Sequence, residues 1–252
     1  MTGDLHATGL TVRFGGRTVL DGVDLTAPAG AITGVTGASG SGKTTLLRVL
    51  AGLQRPHAGA IRYAAASASG ASTSESASGA STSASASGAS NSASASGASN
   101  PASGSASGPP RGSVALLAQH PRLVCNPRWT LRQIIDEPLA IRAGRGFRSS
   151  AEQTADRVGL DTALLERYPG QVSDGQLQRA CLGRVLTQGD GGPLVVLCDE
   201  PTAMLDPIAT SSVVSLLRDM AGTGSTIVLV SHDPALIDAL TESALALPTP
   251  LG

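Results

Sequence analysis

Short apolar runs divide the chain into candidate strands, separated by glycine-rich turns or by stretches in which apolar positions recur at helical spacing. Two strands are predicted at Leu10 to Phe14 and Val19 to Leu25, around the turn Gly15-Gly16-Arg17. Later apolar runs predict strands at 31–35, 59–63, 114–118, 193–198 and 226–230. The run at 193–198 is apolar throughout, which is typical of a strand buried on both faces.

Helices are predicted between these strands from their capping residues. Pairs that fit the capping-box pattern predict helix starts at Thr130, Ser149 and Ser173. We expect Pro138 to interrupt the first of these helices and Gly159 to end the second. Three further helix starts are predicted at Asp161, Pro207 and Asp233.

The alternation of strands and helices predicts an α/β fold with a mostly parallel sheet, in which ligands bind at the carboxyl ends of the strands. The first strands add a small N-terminal antiparallel part. The helices within about 120–190 are predicted to form a helical subdomain inserted between two strands of the main sheet. One domain over residues 1–252 accounts for this pattern.

Residues 64–112 break the alternation. They repeat Ala-Ser-Gly units with little charge and no large apolar side chain. Such a composition buries too little surface to offset the entropy lost on ordering. We therefore interpret the segment as a flexible surface insertion and assign it no chemistry.

Composition narrows the classes of function. The formal net charge of −1 gives no general attraction to nucleic acid, so no nucleic-acid partner is expected. No apolar run approaches the ~20 residues that span a bilayer, and the first residues lack the segments of a signal peptide. The three cysteines stand far apart without a C-x-x-C pair, which argues against a zinc site or a disulfide framework and fits a reducing cytoplasm.

The strongest chemical signal is a glycine-rich loop that fits the phosphate-binding pattern G-x-x-x-x-G-K-[ST]. It reads Gly37-Ala38-Ser39-Gly40-Ser41-Gly42-Lys43-Thr44-Thr45. An apolar strand precedes the loop and apolar residues at helical spacing follow it, an order that directs free N–H groups and the positive end of a helix at an anion. In this interpretation Lys43 reaches the β- and γ-phosphates, and the Thr44 hydroxyl binds Mg²⁺.

Polar residues at the ends of two later strands complete this chemistry. Asp199 would hold Mg²⁺, and Glu200 beside it would orient or deprotonate an attacking water; the alternative for such an acidic pair is a loop cap or a salt bridge. We expect His232, which ends another strand, to contact the γ-phosphate rather than to make a purely structural hydrogen bond. Phe14 either packs against its turn or stacks on a purine ring, and the pattern leaves both open.

The order and spacing of these motifs resemble the ATP-binding subunits of ABC transporters, over the whole chain except residues 64–112. The resemblance implies a P-loop NTPase cassette of the ABC type that uses ATP and Mg²⁺. It matches Phe14 to the A-loop residue that stacks on adenine, Gln119 to the Q-loop glutamine that contacts Mg²⁺ and water, Glu200 to the catalytic base, and His232 to the switch histidine. The remaining matches are Walker A (Gly37 to Thr45), Walker B (Val195 to Asp199), the D-loop (Ala203-Met204-Leu205-Asp206) and the signature (Val172-Ser173-Asp174-Gly175-Gln176).

The signature segment also has a physical interpretation. Ser173 would cap a helix, so that its hydroxyl, the following N–H groups and the helix dipole form an anion site. In the family this site faces the γ-phosphate on the opposite subunit's Walker A loop, which implies a head-to-tail dimer with two sandwiched ATP molecules. Here Val172 and Asp174 replace the leucine and first glycine of the family's L-S-G-G-Q. Asp174 brings negative charge near a phosphate, and we nevertheless expect a working site.

Segments after Gln119 resemble the dipeptide, oligopeptide and nickel importers. They are Gln119-His120-Pro121, Asn126 to Leu131 and Ile134 to Leu139. In transporters this surface docks the coupling helix of the membrane subunit, and Trp129 is either a docking residue or a helix-packing one.

The prediction is therefore an ATP-hydrolysing subunit, bound peripherally at the cytoplasmic face of the membrane, that energises an importer of peptides, nickel or a similar small solute. Its expected partners are membrane-spanning permease subunits, a second ABC ATPase subunit and, for an importer, a solute-binding protein. Two alternatives are a soluble ABC ATPase acting on DNA or ribosomes and a weakly hydrolysing regulatory partner in a heterodimer. A single cassette without heptads or a basic face disfavours the first, and only Asp174 suggests the second.

Overall fold

The computed structural model describes residues 3–63, 109, 112–143, 147–203 and 205–248, so nearly all of the predicted insertion at 64–112 lies outside the described residues. The strands of the described part are β1 Leu5–Phe14, β2 Arg17–Ala27, β3 Ile32–Thr36, β4 Ala58–Tyr63, β5 Val114–Leu117, β6 Val195–Asp199, β7 Thr226–Val230 and β8 Ser243–Ala246. The helices are α1 Lys43–Leu50, α2 Pro121–Val124, α3 Leu131–Ala143, α4 Ala151–Arg157, α5 Asp174–Gly189, α6 Pro207–Gly222 and α7 Pro234–Leu240.

Two sheets organise these elements. A parallel sheet has the strand order β5-β6-β7-β3-β8, and an antiparallel sheet has the order β2-β1-β4. Every residue of β6 and β7 is buried, as the apolar run at 193–198 predicts for a strand covered on both faces. The predicted α/β fold class, with a parallel core and a small antiparallel part, is confirmed.

The register of the parallel sheet brings three chemically important segments to one edge. Val35 of β3 and Asp199 of β6 both pair with Val230 of β7, so the three strands end at the same level. The phosphate loop follows β3, Glu200 follows β6, and His232 follows β7 closely. The sheet therefore gathers residues that are far apart in the sequence.

Two hydrophobic clusters cover the parallel sheet. One joins α1 and the antiparallel sheet to alternate residues of β6 and β7, including Val195 and Leu197. The other joins the opposite residues of β6, such as Val196 and Cys198, to the helices between β5 and β6. Trp129 is partly buried against this second cluster, which favours its helix-packing interpretation.

Helix α3 corrects the prediction at Pro138. The sequence predicts an interruption at this residue, whereas the helix continues to Ala143 with Pro138 buried inside it. A proline inside a helix removes one backbone hydrogen bond and costs about 3 kcal/mol. Burial of Leu131, Ile134 and Ile135 on the same helix and an ion pair from Glu137 to Arg184 of α5 at 3.0 Å offset this cost.

The capping boxes are confirmed at two of three predicted starts, Thr130 with Gln133 and Ser173 with Gln176. The box at Ser149 is wrong, because α4 begins one residue later, after Ser150. The Ser149 hydroxyl donates to the buried carboxylate of Asp136 instead, and a buried carboxylate requires such a donor. Asp161 caps the short helix predicted to begin there, which is a 3-10 helix over Thr162–Leu164.

The three cysteines are buried thiols. Cys125 and Cys181, which are distant in the sequence, place their sulfur atoms 3.2 Å apart between the end of α2 and α5.

Over the ranges that the structure describes, each helix is too short or too polar to cross a membrane.

Candidate active site

The phosphate loop between β3 and α1 requires glycine at two positions. At Gly42 the backbone has φ +95°, which side chains rarely adopt, and a Cβ atom would lie 2.9 Å from Leu20 Cδ2 and 3.0 Å from the Val19 carbonyl oxygen. At Gly37 a Cβ atom would lie 2.6 Å from Ser41 Oγ. The loop is therefore folded closely on itself and against β2, with its backbone open to a ligand.

Lys43, the first residue of α1 and the only lysine of the chain, reaches back across this loop. Its ammonium donates hydrogen bonds to the carbonyl oxygens of Gly37, at 2.8 Å, and Ala38, at 2.9 Å. The side chain is only 7% exposed. A buried ammonium held by two uncharged carbonyl acceptors can exchange them for phosphate oxygens, which carry negative charge.

Thr44 and Asp199 are joined across the site. The Thr44 hydroxyl donates to Asp199 Oδ2 at 2.8 Å, which links α1 to the end of β6. Mg²⁺ prefers oxygen ligands and is commonly held by one or two protein oxygens together with substrate phosphates. This oxygen pair could hold Mg²⁺, and it fits that donor preference.

Glu200 has an unusual backbone and an unusual environment. Its φ is +50°, in a left-handed region that costs a non-glycine residue about 1 kcal/mol or more, and its N–H donates to the Val230 carbonyl at 3.0 Å. The side chain is 8% exposed, and its Oε1 atom accepts no hydrogen bond within the described part of the chain. A buried carboxylate oxygen in this state can accept a hydrogen bond from a water molecule.

Ser231 and His232, which follow β7, lie beside the Glu200 carboxylate. Ser231 Oγ is 3.5 Å from Glu200 Oε2, and His232 Nε2 is 3.6 Å from Glu200 Oε1. The His232 side chain is 56% exposed, so it lies at the open side of the site. Its ring can reach outward to a ligand while its Nε2 atom remains near Glu200.

A cavity of about 320 Å³ joins these residues. Its lining consists of Val19, Ser39, Gly40, Gly42, Lys43, Thr44, Thr45, Gln119, Asp199, Glu200 and His232. The structure thus brings together the phosphate loop, the acidic pair, the histidine and Gln119, as the sequence motifs predict. Val19 also lines the cavity, although no motif includes it.

Phe14 does not line this cavity. It ends β1, pairs with Arg17 across the turn and is 49% exposed. This exposure is inconsistent with packing in the core, and it leaves the ring accessible to a flat ligand. Adenine stacking by Phe14 stays a prediction.

The signature residues form a second location outside the cavity lining. Ser173 precedes α5, and its hydroxyl accepts from the Gln176 N–H at 3.2 Å. Asp174 is the first residue of α5 and forms an ion pair with Arg122 of α2. Gly175 follows Asp174 in the first turn of the helix. One chain therefore presents two separate candidate halves of a site.

Asp206 of the predicted D-loop has structural partners. It caps α6 by accepting from the Ala209 N–H at 2.8 Å, and it pairs with Arg179 of α5 at 3.1 Å. The D-loop is thus tied to the signature helix, whereas its Met204 lies outside the described residues.

The fold and the cavity define a P-loop nucleotide-binding cassette, with a glycine loop on a parallel sheet and an acidic pair at the end of the neighbouring strand. Residues 20–203 match the family model described as ABC transporter, and the chain belongs to this family. The predicted family is confirmed.

Individual relatives carry names from transport. The chain is 33% identical to the methionine import ATP-binding protein MetN of Cereibacter sphaeroides, covering 96% of this chain and 63% of that protein. It is 30% identical to the nickel import ATP-binding protein NikE of Rhodospirillum rubrum, covering 94% of this chain and 75% of that protein. It is also 32% identical to the macrolide export ATP-binding/permease protein MacB of Nitrosomonas europaea, covering 91% of this chain and 30% of that protein. The chain thus spans less than two thirds of the methionine relative.

Solved structures agree on the fold. A dimeric ATP-binding cassette, MJ0796, in a post-hydrolysis state bound to ADP and Pi, superposes with a TM-score of 0.70 at 20% identity, over 97% of this chain and 94% of that one. At this level of identity the likeness shows the fold alone.

Proposed function

We propose that this chain binds ATP with Mg²⁺ and hydrolyses it as the nucleotide-binding subunit of an ABC importer. The observation that carries the proposal is the cavity in which Lys43, the Thr44–Asp199 oxygen pair and the buried Glu200 meet. A positive group, a pair of metal-binding oxygens and a base are the parts that phosphoryl transfer to water requires.

Each residue has a role that follows from its position. The loop N–H groups and Lys43 bind the phosphates and stabilise the charge that develops on them. Glu200 Oε1 accepts a hydrogen bond from the attacking water and takes its proton, since no described residue donates a hydrogen bond to this buried oxygen. His232 and Gln119 lie at the edge of the cavity, where they position the γ-phosphate and the water. Mg²⁺, when bound at Thr44 and Asp199, neutralises charge on the phosphates.

We propose that the signature half of the site acts on the partner subunit's nucleotide. Ser173, Gly175 and Gln176 lie at the N-terminus of the 16-residue helix α5, where N–H groups and the helix dipole favour an anion. They do not line the cavity around their own chain's Lys43. The separation of the two halves supports a head-to-tail dimer with a second ABC ATPase subunit.

An apolar groove supports docking of a helix from a permease subunit. The groove has a volume of about 180 Å³, and its wall includes Leu53, Leu123 and Val124, which are unusually exposed for apolar residues at 69%, 82% and 46%. Gln119 lines both this groove and the cavity. A helix seated in the groove would therefore contact a residue of the nucleotide site directly.

The names of relatives guide the choice of cargo. Two of the relatives described above are named for import of methionine and nickel, and one for macrolide export. We propose import of a small solute such as a peptide or nickel, at the cytoplasmic face of the membrane, with a solute-binding protein as a further partner. The alternative, a weakly hydrolysing regulatory subunit, is suggested only by the negative charge of Asp174. Arg122 forms an ion pair with Asp174, which weakens the argument for that alternative.

The proposal is tested by replacing the candidate base. Glu200→Gln should retain ATP binding and lose at least about a hundredfold in turnover, because an amide cannot accept the proton. The matched control is Glu242→Gln, the same change at an exposed residue outside the cavity lining, which should hydrolyse ATP at the wild-type rate. Undiminished turnover in Glu200→Gln would remove Glu200 from this role.

A further inference from the structure

Arg122 commits its whole guanidinium group to the signature segment. The residue lies in α2, three positions after Gln119. Its Nε donates to the Asp174 carboxylate, its Nη1 donates to the Pro169 carbonyl at 2.6 Å, and its Nη2 donates to the Val172 carbonyl at 2.7 Å. Three bonds from one rigid, planar group fix the position of the segment that leads into α5.

The ion pair between Arg122 and Asp174 also sets the net charge at the start of α5. A carboxylate in the first turn stabilises a helix, because it faces the positive end of the helix dipole. The same carboxylate would repel a phosphate bound at that end. The Asp174 side chain is 47% exposed, so water screens part of its charge, and the guanidinium of Arg122 compensates it directly.

We infer that Arg122 is a positioning residue for the signature half of the site, and that it makes Asp174 compatible with a phosphate at this helix end. This inference rests on the proposed function and deepens it. Because α2 follows Gln119 so closely, Arg122 also ties the segment that carries Gln119 to the signature segment. Asp174, which replaces a glycine of the family signature, is therefore compensated by the positive charge of Arg122 in the same chain.

The test is a cycle of charge-only substitutions, with ATP turnover measured for the wild type, Arg122→Gln, Asp174→Asn and the double variant. Arg122→Gln should lower kcat by about tenfold, because Asp174 then stands unpaired near the phosphate. Its ATP affinity, measured below the concentration at which chains associate, should equal that of the wild type, since the Walker A half is intact. The double variant should be at least about fivefold faster than Arg122→Gln, a rescue that a merely structural role would not give.

Two further variants keep the test decisive. Arg122→Lys keeps a positive charge beside Asp174 but cannot make all three planar contacts, so its kcat should fall by about threefold, less than expected for Arg122→Gln and measurable even if that variant is too unstable to assay. Arg167→Ala removes an exposed arginine shortly before Pro169 and serves as the matched control with wild-type kcat.

The outcomes separate the two proposals. A wild-type chain without ATP turnover, or a fully active Glu200→Gln variant, would contradict the proposed function. If Glu200→Gln abolishes turnover as expected, then wild-type kcat in Arg122→Gln, or a double variant as slow as Arg122→Gln, would overturn the inference on Arg122.

Discussion

Lys43 carries the only ε-amino group of the chain, and the structure buries it against two carbonyl oxygens of its own loop. No other lysine can replace it in the cavity. Burial of a cation is costly unless it is paired, and carbonyl dipoles compensate it only in part. A phosphate would supply the opposite charge that these two carbonyl oxygens do not carry.

Lys43→Ala should therefore weaken ATP binding by at least about tenfold, the loss expected when charged hydrogen bonds are removed. The dissociation constant is measured with a fluorescent ATP analogue. Arg48→Ala, which removes an exposed positive charge from the same helix outside the cavity lining, is the matched control and should bind as the wild type does. Equal affinity in Lys43→Ala and the wild type would contradict a phosphate-binding loop.

At the residue scale, the sequence predicts which residues lie together most readily when they belong to local motifs. Lys43, Thr44 and Glu200 were predicted because each stands in a short pattern with a known chemical purpose, and the structure gathers them in one cavity. Arg122 was missed because its partner Asp174 lies 52 residues away and no local pattern links them. Contacts of this kind depend on packing between elements.

At the element scale, strand β6 joins the core to the site. It is buried along its whole length and ends in Asp199, so its position fixes that of the acidic pair. The sequence predicts this strand because a fully apolar run is stable only where both of its faces are buried. Helix α3 was harder to predict, since its passage through Pro138 depends on burial against α5, and β8 was missed because its four residues carry little pattern.

Cys198 of β6 makes stability depend on pH. Burial, and to a smaller extent the nearby Asp199 charge, raise the pKa of the Cys198 thiol from the ordinary value of 9.0 to about 12. Between these values the unfolded chain loses the proton while the folded chain keeps it, so the free energy of unfolding falls as pH rises, by up to about 1.4 kcal/mol per pH unit.

This prediction is checked by urea unfolding between about pH 8 and pH 10.5. Cys198→Ala should be less stable at pH 8 because it leaves a cavity, yet its stability should fall less steeply toward high pH. Parallel decreases in the two proteins would show that Cys198 is not the titrating group.

At the scale of the whole molecule, the chain presents two candidate halves of the proposed nucleotide site at different places. The Walker A half is a cavity that contains the Thr44–Asp199 oxygen pair, and the signature half is a capped helix end at which Asp174 forms an ion pair with Arg122. The signature residues do not line the cavity around Lys43 of their own chain. We therefore predict that ATP itself joins two chains, with the phosphate loop of each opposite the Ser173 end of the other.

The measurement that tests this claim most directly is light scattering of Glu200→Gln with and without ATP and Mg²⁺. Since we expect this variant to bind ATP without hydrolysing it, its mass should double from one chain to two when ATP is added. Lys43→Ala combined with Glu200→Gln should remain a single chain under the same conditions. A Glu200→Gln protein that is saturated with ATP and still has the mass of one chain would contradict the shared site.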